Sequence, residues 1–143
     1  MKVIPLAAAA ATLLLGACAT APSNPALVGS WKENGVSVNG NVSHAIDTAS
    51  IQPGANQTVS YRERLTVRDP EQEHYANTPH YKTALNEWQM DCRARTYRLM
   101  AVQMFDDAGK VLAAHRYQNI RPQAVVKGSA SGNQFEQVCG QKL

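Results

Sequence analysis

The first eighteen residues decide how much of this 143-residue chain is left to fold. Lys2 gives a short positive start. Val3 to Leu15, VIPLAAAAATLLL, is apolar except for Pro5 and Thr12. A membrane-spanning helix needs about 20 apolar residues, so this run is short for a span and has the flanks of a secretory h-region. Gly16, Ala17 and Cys18 follow. Cleavage before Cys18 removes 17 residues and leaves 126, one domain's worth of chain.

The segment Leu15-Gly16-Ala17-Cys18 resembles the bacterial lipobox. The resemblance implies that the Cys18 thiol takes a diacylglyceryl group and that acyl chains such as palmitate hold the protein on a membrane. Two or more chains anchor stably, where one binds only marginally. An ordinary signal peptide with a chance cysteine is the alternative. Ala19 stands where lipoproteins kept at the inner membrane usually carry Asp, which implies the outer membrane; neither face of it is encoded. ATAPSNPA, Ala19 to Ala26, is small, polar and proline-containing, as a flexible spacer would be. The chain thus divides into a signal peptide, 1–17, a lipidated cysteine and tether, 18–30, and a folded domain, 31–143.

Two cysteines remain, Cys92 and Cys139, 47 residues apart. Export places them in an oxidising compartment, where an even pair normally bridges. No C-x-x-C spacing favours a redox pair. Without Lys2, 13 basic residues stand against 11 acidic ones, a net charge of +2. That is too weak to argue for nucleic acid.

Periodicity reads mostly as strand. WKENGVSVNG offers a short strand at Trp31 and turn signals at Asn34-Gly35 and Asn39-Gly40, and SHAIDTASI a second short segment. TVSYRERLTV puts Val59, Tyr61, Leu65 and Val67 on one face and Arg62, Arg64 and, just beyond, Arg68 on the other; Glu63 alone breaches the apolar face. The segment from Glu71 to Thr83 is polar and reads as an exposed loop. WQMDCRART alternates again, with Trp88, Met90, Cys92 and Ala94 inward and Arg93 and Arg95 outward, and the phase slips near Tyr97 as a β-bulge would make it. RLMAVQMF, DDAGK and VLAAHRY form the clearest hairpin, with Gly109 in its loop. Ser131 and Gln134 have capping-box spacing, Phe135, Val138 and Cys139 share one helical face, and Gly140 suits a C-cap. The expected class is α+β: an antiparallel sheet with a C-terminal helix packed on it and joined to it by the Cys92–Cys139 disulfide.

Candidate chemistry is sparse. His74 and His80 lie with Glu71 and Glu73 in the polar loop, at spacings that fit no zinc pattern. His44 and His115 are isolated, and Asp106-Asp107 sits where a turn favours Asp. No nucleophile elbow, phosphate loop or H-E-x-x-H is present. No enzyme, metal or cofactor is therefore expected. The more suggestive feature is arginine: Arg93, Arg95 and Arg98, with Tyr97 beside them, extend the stripe begun by Arg62, Arg64 and Arg68. Arg and Tyr are enriched at protein-binding hot spots. The competing reading is a solvated outer sheet face.

The order of a lipobox, a Trp-led first strand, IDTASI, W-x-x-x-C-R, MFDDAGK and a late F-E-Q-V-C resembles the surface-adhesin protein E family, over roughly residues 31 to 140. The resemblance implies a small outer-membrane lipoprotein whose cysteines bridge the last helix to the sheet. It also implies adhesion to host matrix or serum proteins such as vitronectin, laminin and plasminogen, with Trp88 to Lys110 as the vitronectin-binding stretch. The chain has few lysines and no lysine-rich C-terminal part, the residues on which plasminogen binding usually rests. The alternative function is a periplasm-facing envelope protein, an inhibitor of a wall-degrading enzyme or a structural partner.

Overall fold

A computed structural model describes residues 24–73 and 76–143. The expected signal segment, Cys18, residues 19–23 of the expected tether and His74 lie outside the described residues. The strands are β1 (Trp31–Val36), β2 (Val42–Pro53), β3 (Thr58–Val67), β4 (Thr83–Asp91), β5 (Thr96–Phe105), β6 (Val111–Arg116) and β7 (Gln123–Ala124), followed by one helix, α1 (Ala130–Cys139). β1 to β6 lie in sequence order in one antiparallel sheet, and β7 pairs with the start of β5. Antiparallel neighbours need no crossover, so sequence-adjacent strands pair directly even across the longer β3–β4 loop. Cys92 and Cys139 are disulfide-bonded. The α+β arrangement expected from the sequence is the one found.

Local chemistry sets the element ends. Asn34-Gly35 makes a bulge in β1, not a turn: Gly35 has φ 123° and the register shifts there. The β5–β6 loop closes through Asp106, whose Oδ1 accepts the amides of Ala108 and Lys110, while Gly109 takes φ 78°. Met100 is the extra residue of a β-bulge, slightly beyond where the phase slip placed it. The helix begins two residues before the capping-box reading: Ser129 caps it by accepting from the Gly132 amide, and Ser131 lies inside it, buried. Gly140 ends it with φ 64°.

One face of the sheet carries α1. Phe135, fully buried, packs with Ile46, Val59, Tyr61, Met90 and Cys92. A second apolar cluster on the same face joins Val42, Val67, Ala84 and Val102 under Tyr81. Glu63 sits between the two in register and is 2% exposed. Its Oε1 accepts from Gln134 Nε2 at 2.5 Å and His44 Nδ1 at 2.8 Å; its Oε2 accepts from Trp88 Nε1 at 2.6 Å and Asn86 Nδ2 at 3.1 Å. The Gln134 carbonyl oxygen accepts from the Tyr61 hydroxyl at 2.7 Å. Burial, then the Glu63 charge and Tyr97, push the Tyr61 hydroxyl far above its usual range, so it stays neutral and donates. The breach of the apolar face is thus a junction of β2, β3, β4 and α1.

The opposite face carries the arginine side of β3 and is covered by the chain's own entry. Residues 24–30 run from the β5–β6 loop to β1, with a 3-10 turn at Pro25–Leu27. Asn24 Nδ2 donates to Gly109 O at 3.1 Å, Trp31 Nε1 to Leu27 O at 2.9 Å, and Arg62 to the carbonyls of Ala26 and Val28. Residues 24–30, read from the sequence as part of a flexible tether, are instead packed on the sheet as a strap.

Two stability predictions follow from this packing. Replacing both bridging cysteines with Ala costs about 2–5 kcal/mol in urea unfolding; reaction of both with a thiol label in the folded, unreduced protein would show the bridge absent. Glu63→Ala leaves four donors without their acceptor, those of Asn86 and Gln134 buried and those of His44 and Trp88 partly so, and costs about 3–5 kcal/mol. A loss within about 0.5 kcal/mol, the usual range of an ordinary surface site, would refute the junction's role.

Candidate interaction surface

Arg93 and Arg95 do not lie on a strand face. β4 ends at Asp91, and Cys92 to Arg95 form the β4–β5 turn. The reason is local: Asp91 Oδ1 accepts the amides of Arg93 at 3.0 Å and Ala94 at 2.8 Å, pulling the chain out of extended geometry. Arg95 completes the turn at φ 53°. The alternation of W-x-M-x-C-x-A continued past this point in the sequence, and the Asp was the only signal against it. The turn is held on three sides. The Cys92 amide donates to Gln57 O at 3.0 Å, the Val125 amide donates to Arg95 O at 2.9 Å, and the Cys92 sulfur bonds to Cys139. Arg93 and Arg95 are exposed on this fixed tip, and among the described residues neither side chain has a hydrogen-bond or ion-pair partner.

Tyr97 and Arg98 leave the tip on opposite faces of β5. Tyr97 stands 5.4 Å from the Trp88 ring on the helix side, with its hydroxyl donating to Gln123 Oε1. Arg98 lies on the other face and donates through Nε at 2.9 Å and Nη2 at 2.5 Å to the Gln89 carbonyl oxygen. A neutral amide holds it, so its charge is not cancelled. Both line a small concavity of about 210 Å³ with Thr58, Asp91 and Pro122. The four predicted residues therefore gather at one end of the sheet, on three aspects of it, and not along one stripe.

Of the rest of the stripe, Arg62 and Arg64 are engaged internally, while Arg68 is exposed. Arg62 pairs with the buried Asp47, and the Arg62 and Arg64 guanidinium carbons stand 5.5 and 4.7 Å from the Trp31 ring centre. Arg116, absent from the sequence-based candidates, pairs with Glu87 at 3.0 Å beside an open groove of about 380 Å³. Alternation along β6 was the only sequence signal for it. Of the histidines, His44 is held by Glu63, His80 pairs with Glu71 at 3.0 Å, and His115 is exposed, edge-on to Tyr117. No cluster of three metal-binding side chains exists among the described residues.

Burial alone would raise the Asp47 pKa. The Arg62 guanidinium, with the Ser30 and Ala49 amides, outweighs it and holds the carboxyl below its ordinary value of 3.8. Because the folded value is the lower one, Asp47 contributes its stability above about pH 4, and this is lost as pH falls through the folded value. Asp47→Ala removes the strap's clamp and costs about 2 kcal/mol at neutral pH, discounted for the half-exposed arginine. Its disadvantage against the parent narrows below pH 3.8. Thermal melts from neutral to acid pH check this, and a gap that widens in acid would contradict it.

A comparison with curated proteins and one with solved structures return no match. The model of the surface-adhesin protein E family matches residues 31–140, from the first residue of β1 to the cap of α1, and it is to this family that the chain belongs.

Proposed function

We propose that the chain is an exported lipoprotein, anchored through Cys18 in the outer membrane, that binds a host matrix or serum protein without enzymatic chemistry. Family membership supports a surface-adhesin role. The observation that carries the site is the β4–β5 tip, where Arg93 and Arg95 are exposed and unpaired on a turn fixed by a disulfide and two backbone hydrogen bonds. A rigid tip loses little conformational freedom on binding. Two free guanidinium groups suit acidic side chains of a partner, with Tyr97 and Arg98 extending the contact along β5. Charges at a rim steer association and make it salt-sensitive.

The double variant Arg93→Glu, Arg95→Glu keeps its melting temperature, since exposed charges contribute little to folding. It loses tenfold or more in affinity for immobilised vitronectin, about 1.4 kcal/mol. Unchanged affinity in a folded variant moves the site away from the tip. Protease added to intact cells releases a surface-facing domain. Protection in intact cells together with digestion after outer-membrane permeabilisation would favour the periplasm-facing alternative, an inhibitor of a wall-degrading enzyme or a structural partner.

A further inference from the structure

The strap fixes which end of the domain can face the membrane. Asn24 is bonded to Gly109 in the β5–β6 loop, and from there residues 24–30 cross the sheet to Trp31, opposite Asp47. Asn24 thus marks the end that also carries the β1–β2 turn and the β3–β4 loop, since Val42 pairs with Val67, and Thr83 with Phe105. The tip with Arg93 and Arg95 lies at the other end of β5, ten residues away, about 33 Å at 3.3 Å per residue. Asn24 is the sixth residue after Cys18, and six residues reach at most about 20 Å even when fully extended. An inverted domain would put Asn24 farther from the bilayer than that chain can span.

Four of the six large apolar side chains exposed among the described residues are distributed in the same sense; of the other two, Val28 lies on the strap and Val126 follows Val125, which is hydrogen-bonded to Arg95 at the tip. Val36 and Val38, 63% and 110% exposed, lie at the β1–β2 turn, and Val111 and Leu112, 43% and 39%, at the start of β6. All four belong to the end that Asn24 marks. The opposite end presents Asn56, Gln57, Arg93 and Arg95, with Val126 as its one large exposed apolar side chain among the described residues. Among the described residues, the loops at the Asn24 end carry Asp69, Glu71, Glu73, Asp106 and Asp107 against Arg68, Lys82 and Lys110. Charge therefore does not draw this end to an anionic surface; the tether and the apolar fringe do the orienting.

We propose that the bilayer holding Cys18 is the surface on which Val36, Val38, Val111 and Leu112 rest, and that the domain stands on it with the β4–β5 tip as its membrane-distal apex. This rests on the lipid anchor proposed above. It is read without any binding partner, so it stands or falls separately from vitronectin recognition.

The test uses the lipidated full-length protein in vesicles of phosphatidylethanolamine and phosphatidylglycerol. A fluorophore is placed through an encoded azide-bearing residue at position 107 or position 55, and lipids with a headgroup nitroxide serve as quenchers. The expected result is quenching several-fold stronger at 107 than at 55. Equal quenching, or stronger quenching at 55, overturns the orientation. A long Gly/Ser insertion after Ala21 frees the domain and shrinks the contrast; an undiminished contrast would overturn the tether as the orienting device. Protein that fails to stay with the vesicles overturns the anchor and the orientation with it.

Discussion

One carboxylate organises the interior. Glu63 stands where periodicity calls for an apolar residue, and each of its oxygens accepts two hydrogen bonds. The donors come from β2, β4 and α1, so a single side chain sets how the helix lies on the sheet and in what register the central strands meet. An apolar residue there would pack, but it would not specify which amide, indole or imidazole faces it. Buried polar groups cost heavily unless all are satisfied. Here the Gln134 amide is oriented by donating to Glu63 and accepting from Tyr61, which leaves one arrangement of the helix that satisfies every partner. The disulfide then locks the far end of that helix to the β4–β5 turn.

The two sheet faces solve different problems. The helix face buries apolar surface in two clusters on either side of Glu63. The other face carries alternating charges that a sheet normally shows to water, and the entering chain covers part of it. Asp47 makes this cover workable: it balances Arg62 and gathers the Ser30 and Ala49 amides. Arg62 is then free to donate to the strap's carbonyls, and Trp31 offers its ring to both arginines. Two of the arginines that look like a basic binding stripe in sequence, Arg62 and Arg64, are the glue of this layer. Arg93 and Arg95 are left over for a partner at the tip, where the turn's own acid, Asp91, accepts backbone amides.

The sequence by itself determined the strand pattern of β3, the β5–β6 hairpin, the helix with its glycine cap and the pairing of the only two cysteines after Cys18. Each follows from local periodicity, from turn chemistry at Asp106 and Gly109, or from there being a single way to pair two thiols. Tertiary structure alone decided what Glu63 is for, because its four partners lie 19 to 71 residues away. It also decided where the arginines go. Alternation is a property of an extended chain, and it cannot report that Asp91 turns the chain or that a strap covers Arg62. Those outcomes depend on which groups meet across the sheet, and period-2 patterning carries only which side of a strand each residue takes.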